Sequence, residues 1–215
     1  MPAPAPVQPG RDCALCPRLA AFRRDNRAAF PDGFNAPVPS FGDGNARLLV
    51  VGLAPGLKGA NRTGRPFTGD FAGELLYATL VKLGLARGRF AARADDGLAL
   101  VECRITNAVR CVPPANRATG AEVAACRRFL AAEIAALDRL SVVLALGTVA
   151  HGAVLAALDE RKSAHPFRHG AVHRLAGGLT LADSYHCSRY NTNTGKLTPA
   201  MFEAVVAEAA RRIRA

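Results

Sequence analysis

Nowhere does this 215-residue chain stay apolar for the length of a membrane span. Its first residues, MPAPAPVQPG, lack the apolar core of a signal sequence. The expectation is a mobile tail over 1–10, one domain over 11–215, and a cytoplasmic protein with no membrane contact. Acidic residues are scarce: 17 stand against 28 lysines and arginines, a formal charge of +11, which favours a polyanionic partner. There is no internal repeat. No Gly-Lys-Ser/Thr follows the glycine-rich stretch, which excludes a Walker A loop, and its glycines do not fit the dinucleotide fingerprint. Half the residues are hydrophobic, which excludes a disordered chain.

The chain is organised around residues 48–76. Leu48 to Leu53 reads as a buried parallel strand. Asp70 to Leu83 reads as a helix, with Phe71, Leu75, Leu76, Leu80 and Leu83 at helical spacing. Between them lies a loop with five glycines, the bases Lys58, Arg62 and Arg65, and the polar Asn61, Thr63 and Thr68. This arrangement turns backbone amides and cations toward an anionic or polar ligand at the carboxyl edge of a sheet.

The rest of the chain repeats strand and helix. A helix starts at Pro17 and runs to about Ala29, and 31–46 reads as loop. Further strands are expected over Leu98–Val109, Ser141–Leu146 and Leu179–Asp183. Helices are expected over 121–137 with Thr119 as cap, from Thr148 to Leu158, and from Leu197 onward. Residues 160–178 and 184–196 read as polar loops. The pattern predicts a three-layer α/β/α sandwich on a mostly parallel sheet of about four strands.

Six cysteines in a reducing compartment favour thiols or metal ligands over disulfides. Cys13 and Cys16 have the two-residue gap of a chelating pair. Cys111 and Cys126 could complete a set of four, for zinc or for an iron–sulfur cluster, and spacing does not choose between them. Cys126 also fits an apolar helix face, and Cys103 reads as core.

The segments Gly52-Leu53-Ala54-Pro55-Gly56, Gly59 to Arg65 and Phe67-Thr68-Gly69-Asp70 resemble the first motif of the family 5 uracil-DNA glycosylases. Ser184 to Ser188, followed by Arg189, Asn191-Thr192 and Thr194-Gly195, resembles the second, with Cys187 where proline is usual. The resemblance spans nearly the whole chain. It implies a uracil-DNA glycosylase-like fold and a monofunctional enzyme of base-excision repair. That enzyme cleaves the bond to uracil, or another deaminated base, in DNA and is expected to be a monomer. It also implies a four-iron, four-sulfur cluster on Cys13, Cys16, Cys111 and Cys126, with zinc as the alternative, beside a basic surface at Arg110 and Arg117.

Glycosidic cleavage calls for a carboxylate near the sugar, a donor for the departing base, and a pocket for a flipped nucleotide. The resemblance assigns Asp70 as the acid and His186 as the donor. Gly52, Ala54, Phe67 and Asn107 then surround the base, and Ser188, Arg189 and Lys196 meet the DNA. Read without it, Asp70 is a helix-start residue, His186 a structural histidine, Asn107 a loop-start residue and Phe67 a core ring. His165, His169 and His173 match no motif. Cys187 is open to oxidation if exposed. Two other functions fit the residues: a non-catalytic module that binds uracil-containing DNA, and an enzyme of free nucleotides.

Overall fold

The computed structural model describes residues 7–214. Eight strands and seven α-helices alternate along them. Strand β1 covers Phe41–Gly42, β2 Leu48–Gly52, β3 Ala86–Arg87, β4 Ala99–Leu100, β5 Cys103–Asn107, β6 Val142–Leu146, β7 Val172–Arg174 and β8 Thr180–Ser184. Helix α1 covers Pro17–Ala29, α2 Ala60–Thr63, α3 Phe71–Lys82, α4 Gly120–Ala135, α5 Thr148–Ala157, α6 Arg189–Asn193 and α7 Pro199–Arg214.

Six strands form one sheet in the order β1-β5-β2-β6-β8-β7. The inner four are parallel, with Val50 opposite both Ile105 and Leu144. Every residue of β2 and β6 is buried, which is why those segments are continuous aliphatic runs. Helices α3 and α7 cover one face through Leu76, Leu80, Phe202 and Val206. Helices α4 and α5 cover the other through Leu130, Ile134, Ala150 and Val154. Burying each large aliphatic side chain contributes about 1.5–3 kcal/mol. This is the expected three-layer sandwich. The chain leaves β2 toward α3 and leaves β6 toward α5, on opposite faces, so a crevice opens between the two strand ends.

The sheet has six strands, not about four. The additional two are antiparallel edges, two and three residues long. Such short edges carry no alternation a sequence could reveal. The strand expected over 98–109 is broken at Glu102 (φ +49), so that β4 pairs with β3 in a separate ribbon and only β5 joins the sheet. Helix α6 falls inside an expected loop, its start capped by Ser188. Thr119 caps α4 as expected, in a capping box with Glu122.

Of the tail expected over 1–10, residues 1–6 lie outside the described residues. Within the rest, Gln8 donates to Glu133 at 2.7 Å and accepts from Arg110 at 2.9 Å. No helix is long and apolar enough to cross a membrane among the described residues.

Candidate active site

The inner strands end side by side at Gly52, Asn107, Leu146 and Ser184, and the loops leaving them build a cleft of about 690 Å³. Its walls are the loop after β2 from Leu53 to Gly59, the start of α3 from Asp70 to Ala72, and His186, Ser188 and Arg189 after β8. Asn116 reaches in from the loop after β5, at φ +55, beside Ala115 at φ +52.

Asp70 caps α3, and its Oδ1 accepts the Gly73 amide at 3.3 Å. Its Oδ2 lies against bare backbone. A Cβ on Gly59 would stand 2.4 Å from that oxygen, and one on Gly56 3.1 Å from it. Gly56 and Gly59 are therefore needed as a seat for the carboxylate, a use that their spacing alone did not reveal. Burial raises the Asp70 pKa, against the opposing pull of the Gly73 and Ala72 amides. The carboxylate is thus less stabilised as an anion than an exposed one.

His186 is half-buried, and desolvation pushes its pKa down to about 4, so the ring is neutral near pH 7. It stacks on Phe67, with centroids 5.8 Å apart and planes 27° from parallel. Phe67 is buried and held at φ +52. A non-glycine residue in that region costs about 1–3 kcal/mol, strain of the kind that collects at functional sites. The turn is pressed so tightly on α3 that a Cβ on Gly73 would overlap the Phe67 carbonyl.

Asn107 is 3% exposed, and its Oδ1 has no hydrogen-bond partner among the described residues. An orphaned buried acceptor costs about 1–3 kcal/mol unless a ligand N–H satisfies it. A Cβ on Gly52 would lie 2.5 Å from both Asn107 Oδ1 and Phe67 Cζ. Gly52, Phe67 and Asn107 therefore form one group, joined to the cleft through His186. Ala54 lines the cleft and also packs on the cluster of Leu19, Val109 and Phe129.

Several loop residues expected to face a ligand turn inward. Arg65 is buried and bidentate to Asp96, at 2.7 Å for both contacts, with its guanidinium over Phe41, Tyr77 and Phe90. Thr68 accepts from Arg65 Nε at 2.8 Å, and buried Asn61 donates to Asn35 at 2.8 Å. The loop must satisfy its own polar groups before it can present any. Lys58, Arg62, Arg189 and Lys196 remain exposed. Arg189 lies 5.2 Å from the Phe71 ring centre, and Lys196 4.8 Å from that of Tyr185. Cys187 is fully buried, its thiol pushed up to about 12 by burial and donating to the Ala72 carbonyl at 3.4 Å. It is not an oxidisable surface thiol. It pins the His186 loop to the start of α3.

Cys13, Cys16, Cys111 and Cys126 line a single small cavity, closed by Leu19, Val109 and Phe129. Arg23 donates to Cys111 Sγ at 3.5 Å, and the Arg110 amide donates to Cys126 Sγ at 3.4 Å. Burial, helped by the neighbouring thiols, pushes the Cys16, Cys111 and Cys126 thiols up, Cys111 to about 11. N–H donors aimed at sulfur suit thiolates, and thiolates here require a metal group to stabilise them, so the four residues fit one. Cys103 is core, as expected. Arg110 does not contribute to a basic surface: it is 1% exposed and paired with Glu133 at 3.0 Å. Arg117 is exposed.

A sequence model of the Uracil DNA glycosylase superfamily matches residues 39–210. The chain is 49% identical over 210 residues to the type-5 uracil-DNA glycosylase of Thermus thermophilus, covering 95% of each chain. It is 43% identical over 203 residues to that of Pyrobaculum aerophilum, covering 93% of this chain and 88% of the relative. It is 42% identical over 205 residues to that of Mycobacterium tuberculosis, covering 92% of this chain and 76% of the relative. Together with the sandwich fold and the cleft at its carboxyl edge, these matches place the chain in the uracil DNA glycosylase superfamily, among the type-5 uracil-DNA glycosylases.

Proposed function

We propose that the chain hydrolyses the N-glycosidic bond of deoxyuridine in DNA, leaving an abasic site for repair, and that Asp70 and His186 carry the chemistry. One observation supports this most directly. A carboxylate seated on Gly56 and Gly59 shares its cleft with a neutral histidine, beside an unpaired amide oxygen.

The flipped base enters toward Gly52, Phe67 and Asn107. Asn107 Oδ1 accepts the N3–H of uracil; cytosine has no hydrogen at N3, so the same oxygen disfavours it. Phe67 supplies an apolar floor. As the C1′–N1 bond breaks, positive charge grows on the sugar and negative charge on the base. The Asp70 carboxylate stabilises the first and orients the water that adds to C1′. The neutral His186 ring donates its N–H to a carbonyl oxygen of the leaving uracil anion, which stabilises the second. Water provides the hydroxyl at C1′, and its remaining proton balances the departing anion. Ala54 and Ser188 shape the walls, and Lys58, Arg62 and Arg189 meet phosphates.

The four cysteines are assigned to a four-iron, four-sulfur cluster. Held there, it would supply metal–thiolate bonds tying the segment before α1 to the loop after β5, and no step of the reaction runs through it.

The test is a labelled duplex with one uracil beside a matched duplex with thymine, followed by alkali. Strand breakage confined to the uracil duplex is expected. A uracil-dependent gel shift without breakage would instead indicate a binding module.

A further inference from the structure

His151, His173 and Asp183 meet on the sheet face that carries α4 and α5, and none of them lines the cleft. His151 lies on α5 and is 3% exposed; Asp183 lies on β8 and is fully buried; His173 lies on the edge strand β7. One potential ligand atom from each falls within 4.8 Å of the others. His151 Nδ1 is 2.7 Å from Asp183 Oδ1, and His173 Nε2 is 3.1 Å from Asp183 Oδ2. His151 Nε2 is 2.8 Å from the His165 carbonyl oxygen.

A carbonyl oxygen only accepts, so His151 Nε2 carries hydrogen, and its Nδ1 faces the Asp183 carboxyl group, as His173 Nε2 does from the other side.

We propose that this trio is a binding site for a divalent transition-metal ion of the zinc class, held by His151 Nδ1, His173 Nε2 and the Asp183 carboxylate. Two imidazoles and one carboxylate are donors that select such ions over magnesium or calcium. The outer contact that a ligating histidine needs is already present, because His151 Nε2–H donates to a backbone carbonyl. Three protein ligands leave a position for water. Access is from the β7 edge, where the His173 side chain is 12% exposed.

Asp183 precedes His186 by three residues, so the ion would fasten α5, β7 and β8 beneath the His186 loop.

The experiment is calorimetric titration of the whole chain with zinc chloride, beside His173→Gln and Asp183→Asn. The cysteines are common to all three proteins, so the difference between wild type and variant isolates this site. The expected result is a wild-type binding event that weakens at least tenfold in each variant. Cobalt bound at the same site should show ligand-field bands without a thiolate charge-transfer band. If Asp183→Asn does not fold, His173→Gln at the sheet edge carries the comparison, with circular dichroism confirming its fold. Equal zinc isotherms for wild type and His173→Gln would overturn the assignment.

Discussion

The seat of Asp70 makes Gly59→Ala the most informative substitution in the cleft. The added methyl carbon would stand 2.4 Å from Asp70 Oδ2, 2.9 Å from its Cγ and 3.0 Å from its Cβ. An ordinary C···O approach is about 3.3 Å, so the carboxylate must withdraw by about 0.9 Å. Oδ2 and Cγ can rotate away with the side chain at modest cost to the fold, while Asp70 Cβ, at 3.0 Å, must give by a few tenths of an ångström. Overpacking costs about 1–3 kcal/mol and the low end applies, a drop of about 2–4 °C in Tm. The cost to catalysis is larger, because a misplacement of about 1 Å can lower the rate about 100-fold, or about 2.7 kcal/mol in the barrier. Gly56→Ala, at 3.1 Å and touching only Oδ2, should lose much less. The assay is single-turnover excision at saturating enzyme, with DNA affinity and Tm measured in parallel. A folded Gly59→Ala protein within threefold of the wild-type rate would refute the carboxylate's role or its position.

The remaining predictions concern charge, burial and metal. The burial that raises the Asp70 pKa makes its ionised form a cost to the folded state above that pKa, so Asp70→Asn, which keeps a good cap, should raise Tm at pH 7. His186 titrates at about 4 in the fold and near 6.5 unfolded, so it favours folding above 6.5 and withdraws stability as pH falls from there toward 4. His186→Asn should remove that component, at most about 3 kcal/mol, from the pH dependence of chemical denaturation. Arg65→Ala strands buried Asp96 and should cost about 3–5 kcal/mol, whereas Arg62→Ala should leave stability within about 0.5 kcal/mol and lower the salt slope of DNA binding by about 1. Iron and acid-labile sulfide should co-purify with the chain and be lost in Cys16→Ser; zinc in their place would exclude the cluster.

The sequence disclosed the parts of this molecule that are regular or long. The aliphatic runs of β2 and β6 and the stripes of α3, α4 and α7 could be read because burial on both faces or one face dictates their patterns. The edges β1 and β7 could not, being too short to carry a pattern, and α6 could not, because it has no buried residue. The resemblance brought out Asp70 and His186, and the structure places them in one cleft. It did not distinguish which loop polar groups serve the loop itself. Arg65, Asn61 and Thr68 are consumed by partners at Asp96, Asn35 and Arg65 that lie up to 31 positions away. The His151–Asp183–His173 contact was hidden for the same reason, since its members come from a helix and two strands and share no local motif.

The central claim is that the carboxylate at the start of α3 performs glycosidic cleavage. Its most direct test is single-turnover excision from a uracil duplex by wild type and Asp70→Asn, with binding to the same duplex measured alongside. The account predicts that the variant binds as wild type does and cleaves about 100- to 10,000-fold more slowly. Cleavage by Asp70→Asn at the wild-type rate would contradict it.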